Sequence, residues 1–388
     1  MDNRWVILAV LFVVRLTIGF QFQSVASVAP LLGREFGFGL ADIGILIGLY
    51  FAPGVALSLP GGALGKRFGD KAIALAGLGL MLAGSLVMAA SASWSGQVTG
   101  RLIAGAGGVI MNVQMTKMVT DWFAGREIAT AMAVFVNSWP AGVAMSLLTL
   151  PLIGISYGIS AVFVAVAVLI ACGMLLLVTA YQPPPHIPGA TTMTATLDRN
   201  TIIAVVAAGL LWGLFNVGFA MVFSFGPSIL VERGWSITAA GSTISIVLWL
   251  AVFSVPFGGF LADRTKRPEL ILVAGCVVFA LLMVMLPRSG SAVMLTVVAL
   301  GLICGQPAGP IMSLPARVLQ PATRAVGMGI FYTVYYVAMM LGPAIGGVCA
   351  KWTGSAGAAL DFGAVMVLAC PVILWGFNRV PAAASKMA

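Results

Sequence analysis

Charge is what this sequence lacks most. Asp, Glu, Lys and Arg make up 8% of its 388 residues, where a water-soluble domain carries about 25%. So thin a polar inventory cannot cover a globular surface, and a soluble enzyme is excluded. Acids are scarcer than bases, 11 Asp and Glu against 20 Lys and Arg. Spread over so few groups, the net charge of +9 reads as membrane topology and predicts no nucleic-acid partner. Histidine occurs once, at His186 in the stretch Gln182-Pro-Pro-Pro-His-Ile-Pro-Gly189. The five cysteines, Cys172, Cys276, Cys304, Cys349 and Cys370, form no Cys-x-x-Cys pair. Neither pattern suits a metal, so the cysteines are expected to be small packing residues. The 20 methionines are scattered without paired spacing and read as flexible packing groups rather than copper ligands. There is no phosphate-binding loop and no nucleophile–base set inside the apolar runs. The chain is therefore expected to be no enzyme, to use no ATP and to carry no cofactor.

What is present is apolar: 61% of the residues are hydrophobic and the mean hydropathy is +1.09. Even the 47 glycines and 20 prolines sit inside apolar runs, as in membrane helices and unlike disordered tracts. A bilayer core of about 30 Å takes roughly 20 apolar residues per helix. Twelve such runs lie between charge and Pro/Gly breaks, at 5–32, 42–65, 72–92, 95–119, 127–153, 158–181, 200–229, 237–262, 270–287, 292–316, 325–350 and 357–378. Long unbroken runs exclude a β-barrel, whose strands alternate. The stretch after Met1-Asp2-Asn3-Arg4 is too long for a signal core and lacks a small-residue cleavage site, so it reads as the first span. The fold class is all-α integral membrane with twelve transmembrane helices.

The basic residues orient the chain. With the N-terminus inside, 14 of the 20 Lys and Arg fall on cytoplasmic segments and 4 outside, at Arg34, Arg233, Arg288 and Lys351. Arg15 and Arg101 lie within spans. That split follows the positive-inside rule and puts both termini in the cytoplasm of an inner or cytoplasmic membrane. The segment Gly61-Gly-Ala-Leu-Gly-Lys-Arg67 recurs as Gly258-Gly-Phe-Leu-Ala-Asp-Arg264, 197 residues later, and Arg126 corresponds to Arg324 at an offset of 198. Matching offsets for two separate loops imply a duplicated six-helix unit. The expected division is a bundle at 1–181, a Pro-rich cytoplasmic linker at 182–199, and a second bundle at 200–388. Two parallel repeats are an alternating-access architecture.

Gly-x-Leu-x-x-Arg-Phe-Gly-x-Lys at 62–71, its copy at 259–267, and Arg101-x-x-x-Gly105-x-Gly107 resemble the major facilitator superfamily over the whole chain. Asp121-Trp-Phe123 and Trp139-Pro140 are similar to the cyanate-permease-like branch and other small-anion carriers. The resemblance implies cytoplasmic gate elements at Gly62, Arg67, Asp70, Asp263, Arg264, Arg126 and Arg324. The family loop has Asp before its Arg. Here Lys66 stands in that place and Asp263 keeps it in the copy, so the first latch is altered or uses Asp70. The Gly-x-x-x-Gly-Pro signature of drug antiporters is absent from span 5, while Gly342-Pro343-x-x-Gly346-Gly347 occurs in span 11.

Trp5 marks the inner interface, and Arg15 lies roughly 15 Å deeper, near the midplane. Arg101 lies about 10 Å in from Trp94 at the outer interface. A charge at the bilayer centre costs at least about 2.5–3.5 kcal/mol, which makes an intramembrane cation a candidate functional group. Glu35, Asp42, Asp121, Glu232, Glu269 and Asp361 all sit at span ends. The pair is therefore expected to hold an anionic substrate. The competing reading makes Arg15 a partner of backbone carbonyls and glutamines of its own bundle, and Arg101 a packing and gating residue. Gln23 beside the Arg15 stripe and Asn112 on the Arg101 stripe are further candidates. In the second half, Asn216 shares a stripe with Trp212, and Gln306, Tyr332 and Tyr336 join it as helices that resemble the family's pathway-lining ones. Charge in one half with aromatic and amide groups in the other suits a small organic anion such as a monocarboxylate. The resemblance extends to organic-anion symporters, whose proton-coupling acids are replaced here by Val14 and Gly108. Uniport, exchange and co-transport of a protonated substrate all stay open. The expectation is a monomeric carrier of a small anion in the lipid bilayer. Its rivals are a drug or neutral-solute exporter of the same superfamily and a non-transporting membrane sensor.

Overall fold

The computed structural model describes residues 4–58, 68–123, 127–183, 197–320 and 323–381. Among them are fifteen α-helices: α1 (Arg4–Ser27), α2 (Ala29–Phe36), α3 (Leu40–Leu49), α4 (Ala52–Leu57), α5 (Asp70–Ala90), α6 (Trp94–Phe123), α7 (Ile128–Val136), α8 (Ser138–Ala180), α9 (Arg199–Glu232), α10 (Ile237–Thr265), α11 (Pro268–Met285), α12 (Val293–Ile303), α13 (Ala308–Val318), α14 (Arg324–Thr353) and α15 (Gly357–Asn378). Eleven stretches are long and apolar enough to cross a membrane. One of them, 134–180, runs for 47 residues, roughly 70 Å of helix at 1.5 Å per residue and more than twice a bilayer core. It breaks at Gly158, where φ 81 and ψ 173 fall in a region open only to glycine. A Cβ on Gly154 would lie 3.2 Å from the Val162 side chain, although eight residues along a straight helix span about 12 Å. The chain folds back there, and α8 contains the expected spans 5 and 6. The molecule is an all-helical membrane protein with twelve crossings.

Most expected limits lie within a few residues of the observed helices, and span 12 occupies Gly357–Asn378. Four spans are broken where an unbroken run was expected, each just before a proline. Span 1 divides at Val28 before Pro30, span 2 at Tyr50–Phe51 before Pro53, span 5 at Asn137 before Pro140, and span 10 between Ile303 and Ala308, around Pro307. Proline lacks the N–H that an uninterrupted helix needs and its ring crowds the preceding turn. Apolar periodicity does not register this, because both pieces stay apolar all round.

The chain packs as two compact units, Met1–Phe38 with Leu49–Thr191, and Gly39–Gly48 with Thr192–Ala388. Most of the expected linker lies at 184–196, outside the described residues. In the first unit, α1 lies along α8 with backbones in contact. A Cβ on Gly19 would meet the Trp139 carbonyl, and one on Gly142 the Leu16 carbonyl. In the second unit, α9 packs against α14 and α15. The segment Gly39–Gly48 joins it because a Cβ on Gly44 would meet the Pro343 carbonyl and Gly347 of α14. Large side chains such as Leu175, Phe253, Leu295 and Val372 are exposed, as a lipid-facing surface requires.

Candidate functional site

The break before Pro140 creates the setting of Arg15. Without an N–H, Pro140 leaves the Val136 carbonyl, four residues back, short of its helical donor. Arg15 on α1 supplies it. Its Nη1 donates to the Val136 and Phe135 carbonyls and to Ser138 Oγ, each at 3.1 Å, and its Nε donates to Asn112 Oδ1 on α6 at 3.0 Å. The guanidinium carbon lies 4.7 Å from the centre of the Phe135 ring. These four acceptors are neutral groups that orient the guanidinium. The residue is half-buried. Arg15 and Asn112 are thus brought together as expected candidates, and Ser138 completes the set.

Arg101 is enclosed, with no exposed surface. Its Nη1 donates to the Gln21 carbonyl at 3.0 Å and its Nη2 to the Phe22 carbonyl at 2.5 Å. Tyr50 and Phe22 lie against the guanidinium at 4.6 and 5.6 Å. Gln21 extends the network: its Nε2 donates to the Met81 carbonyl and Ser85 Oγ, both at 2.7 Å, and its Oε1 accepts from the Tyr50 hydroxyl at 3.3 Å. The glycine face of α6 is filled by this packing, since a Cβ on Gly108 would lie 2.6 Å from the Tyr50 hydroxyl. Counting 1.5 Å per residue from 15 to 21 on α1 and from 112 to 101 on α6 separates the two guanidinium sites by about 9–17 Å in height. They form two stations on the same helices. Gln23 is fully buried on α1.

At one end of the first unit, Asp70 at the start of α5 pairs with Lys117 of α6. Lys117 also meets Asp121 at 2.9 Å. Lys71 donates to the Val178 and Tyr181 carbonyls at 2.9 Å, and Trp122 to the Gln182 carbonyl at 3.0 Å. Of the other expected gate residues, Gly62, Arg67 and Arg126 lie outside the described residues, as does the Arg324 side chain. Asp263 and Arg264 are exposed on the last turn of α10.

In the second unit, Asn216 Nδ2 donates to the Trp212 carbonyl at 2.8 Å and Gln306 Nε2 to the Leu302 carbonyl at 3.2 Å, each one turn back on its own chain. Trp212 stacks on Phe215 at 5.8 Å and meets Tyr335 of α14 at 6.3 Å. Tyr335 touches Tyr332 at 6.3 Å and Tyr336 at 5.1 Å. Trp212, Tyr332 and Tyr335 are half-buried and Tyr336 is buried. Lys117, Tyr50, Gln21 and Ser138 went unrecognised as members of these clusters. The one available signal was Pro140, which marks a break whose carbonyls need donors from elsewhere.

The chain is 31% identical over 140 residues to the inner membrane transport protein YajR of Escherichia coli, covering 36% of this chain and 30% of that one. It therefore spans about a third of the length of the curated relatives it matches first. It is 24% identical over 197 residues to the human choline/ethanolamine transporter FLVCR2, covering 48% of this chain and 38% of that one. In fold it is similar to the crystal structure of a bacterial homologue of the lysosomal transporter Spinster, with TM-score 0.76 and 16% identity over 100% of this chain and 98% of that one. The family profile described as Major Facilitator Superfamily matches residues 11–338 and again 202–386. Twelve crossings, a repeated loop motif in the sequence and a profile match over nearly the whole sequence agree: the chain belongs to the Major Facilitator Superfamily, a family of membrane transporters and not of enzymes.

Proposed function

We propose that this transporter carries a small organic anion by alternating access, with Arg15 as its electrostatic anchor. The observation that carries the reading is where the acids are. Asp42 caps the Gly39 N–H, Asp198 caps α9, Glu232 accepts from the Ala356 N–H, and Asp70 and Asp121 hold Lys117. Glu127 pairs with Arg4, Glu269 with Arg317 and Asp361 with Arg288. All eight work at helix ends, away from the middle of α1 where Arg15 stands. Its neutral acceptors fix the fork in place, ready for a carboxylate. In this reading Asn112 and Ser138 hold Arg15, and Arg101 sets the position of α1 from its enclosed network. The Asp70–Lys117–Asp121 cluster does the latching at the cytoplasmic end, in place of the Asp missing at position 66. Asn216, Gln306, Tyr332 and Tyr336 are the second unit's own candidate contacts, and both termini face the cytoplasm of an inner membrane.

A second reading rests on the aromatic face of α9 and α14. Trp212, Tyr332 and Tyr335 offer π-surfaces of the kind that bind an ammonium group, and FLVCR2 is a choline/ethanolamine transporter by name. A thermal-stability screen separates the two. Purified protein and its Arg15→Gln variant are compared with small carboxylates, their neutral amides and choline. The anion reading expects stabilisation by particular carboxylates, with affinity reduced roughly 10–100-fold in the variant, the value of a charge-assisted hydrogen bond. Stabilisation of both proteins by choline alone moves the ammonium reading to first place.

A further inference from the structure

The loop between α10 and α11 builds a second, separate positive site. Lys266 takes a left-handed backbone, φ 53 and ψ 27, an uncommon conformation for a residue with a side chain. The turn brings Lys266, Arg267, Pro268, Glu269 and Leu270 together with Arg317 of α13 around a cavity of about 490 Å³. The acid in this cavity is already engaged at both oxygens. Glu269 Oε1 accepts from Arg317 Nη1 at 3.0 Å, and Oε2 accepts from Asn378 Nδ2 of α15 at 3.0 Å. Glu269 therefore balances Arg317, and Lys266 and Arg267, both exposed, have no ion-pair partner among the described residues. Asp263 and Arg264, exposed on the preceding turn, carry opposite charges. The cavity also has an apolar side: Leu270 is 55% exposed, and Phe257 and Phe260 stand exposed on the same end of α10.

Two cations beside an outward-facing apolar surface suit an amphipathic anion. The geometry points to a binding site for a phosphate group, supplied by the head of an anionic phospholipid in the leaflet at this end of the spans. Arg267 offers its fork to two phosphate oxygens, Lys266 adds a point charge, and Leu270 and Phe260 accompany the acyl chain. Assigning this end to the cytoplasmic leaflet rests on the orientation proposed above, whereas binding itself does not depend on transport.

The test is thermal stability of the full chain in neutral detergent, titrated with phosphatidylglycerol, phosphatidylcholine or glycerol 3-phosphate. The proteins are wild type, Lys266→Asn/Arg267→Gln, Arg267→Gln alone, and Lys351→Gln as a control with the same kind of charge change on α14. Asparagine tolerates the left-handed backbone at 266. Phosphatidylglycerol should stabilise wild type and the control at low mole fraction. The double variant should need roughly 25-fold more, two charges at about fivefold each, and Arg267→Gln should fall between. An equally variant-sensitive response to glycerol 3-phosphate would keep the phosphate site and make a soluble ester its source. Equal stabilisation by phosphatidylcholine, or a phosphatidylglycerol response unchanged by the double variant, would overturn the site.

Discussion

A guanidinium has five N–H donors and keeps its proton at any ordinary pH, so the two intramembrane arginines differ by what surrounds them. Arg101 lies under Tyr50 and Phe22 and spans two carbonyls of α1. Removing it takes a charged donor from each of two buried carbonyls, of which the Gln21 carbonyl also accepts from Ser24 Oγ at 2.7 Å. Arg101→Gln is expected to lower unfolding stability by about 2–4 kcal/mol, measurable by thermal or denaturant unfolding in detergent, while leaving any ligand that binds near Arg15 bound in the surviving folded fraction. Loss of ligand binding with full stability would instead make Arg101 a substrate contact. Trp5 and Trp94 gave both arginines an expected depth. Their partners were not legible, because backbone carbonyls carry no sequence signature and Phe135 lies 120 residues from Arg15. The amides were legible only as polar groups. Asn216 and Gln306 each donate one turn back along the chain, an arrangement that any amide in or beside a helix can adopt.

At the scale of elements, the apolar runs located the helices but not their breaks. Periodicity reports which residues avoid water, and every residue in these spans does. The breaks come instead from Pro30, Pro53, Pro140 and Pro307, whose rings interrupt the backbone ladder. One break has a chemical consequence, since the carbonyl freed by Pro140 becomes a ligand for Arg15. The hairpin at Gly158 was foreshadowed by the gap between runs ending at 153 and starting at 158. The crossing of α1 and α8 depends on glycine in a different way. Gly19 and Gly142 let two backbones touch, and a side chain on Gly142 would strike the Leu16 carbonyl. Gly142→Val is expected to cost at least 1–3 kcal/mol, the usual range for overpacking. It should also spread α1 from the 135–138 break and so weaken ligand binding at Arg15. Gly376→Val on α15, where nothing stands within 4 Å of a Cβ, is the matched control and should leave both stability and binding near wild type.

At the scale of the whole molecule, the membrane, the span count and the repeat were legible, because composition, the lengths of apolar runs and motif offsets along the chain carry them. The Lys117 cluster was partly legible. Lys66 in place of the family's Asp pointed to Asp70, and Asp70 pairs with Lys117, whose second acid, Asp121, was noted only as part of a branch motif. Substrate chemistry lies beyond totals, since it depends on whether the half-buried Arg15 meets a ligand's carboxylate. The most direct measurement is uptake into proteoliposomes of a labelled small carboxylate, chosen from the stability screen, beside its neutral amide and choline. Wild type and Arg15→Gln would be compared at equal reconstituted amounts. An anion carrier anchored on Arg15 should take up the carboxylate far faster than the amide and lose that preference in Arg15→Gln. Equal uptake of carboxylate and amide, or choline uptake undiminished by the substitution, would contradict it.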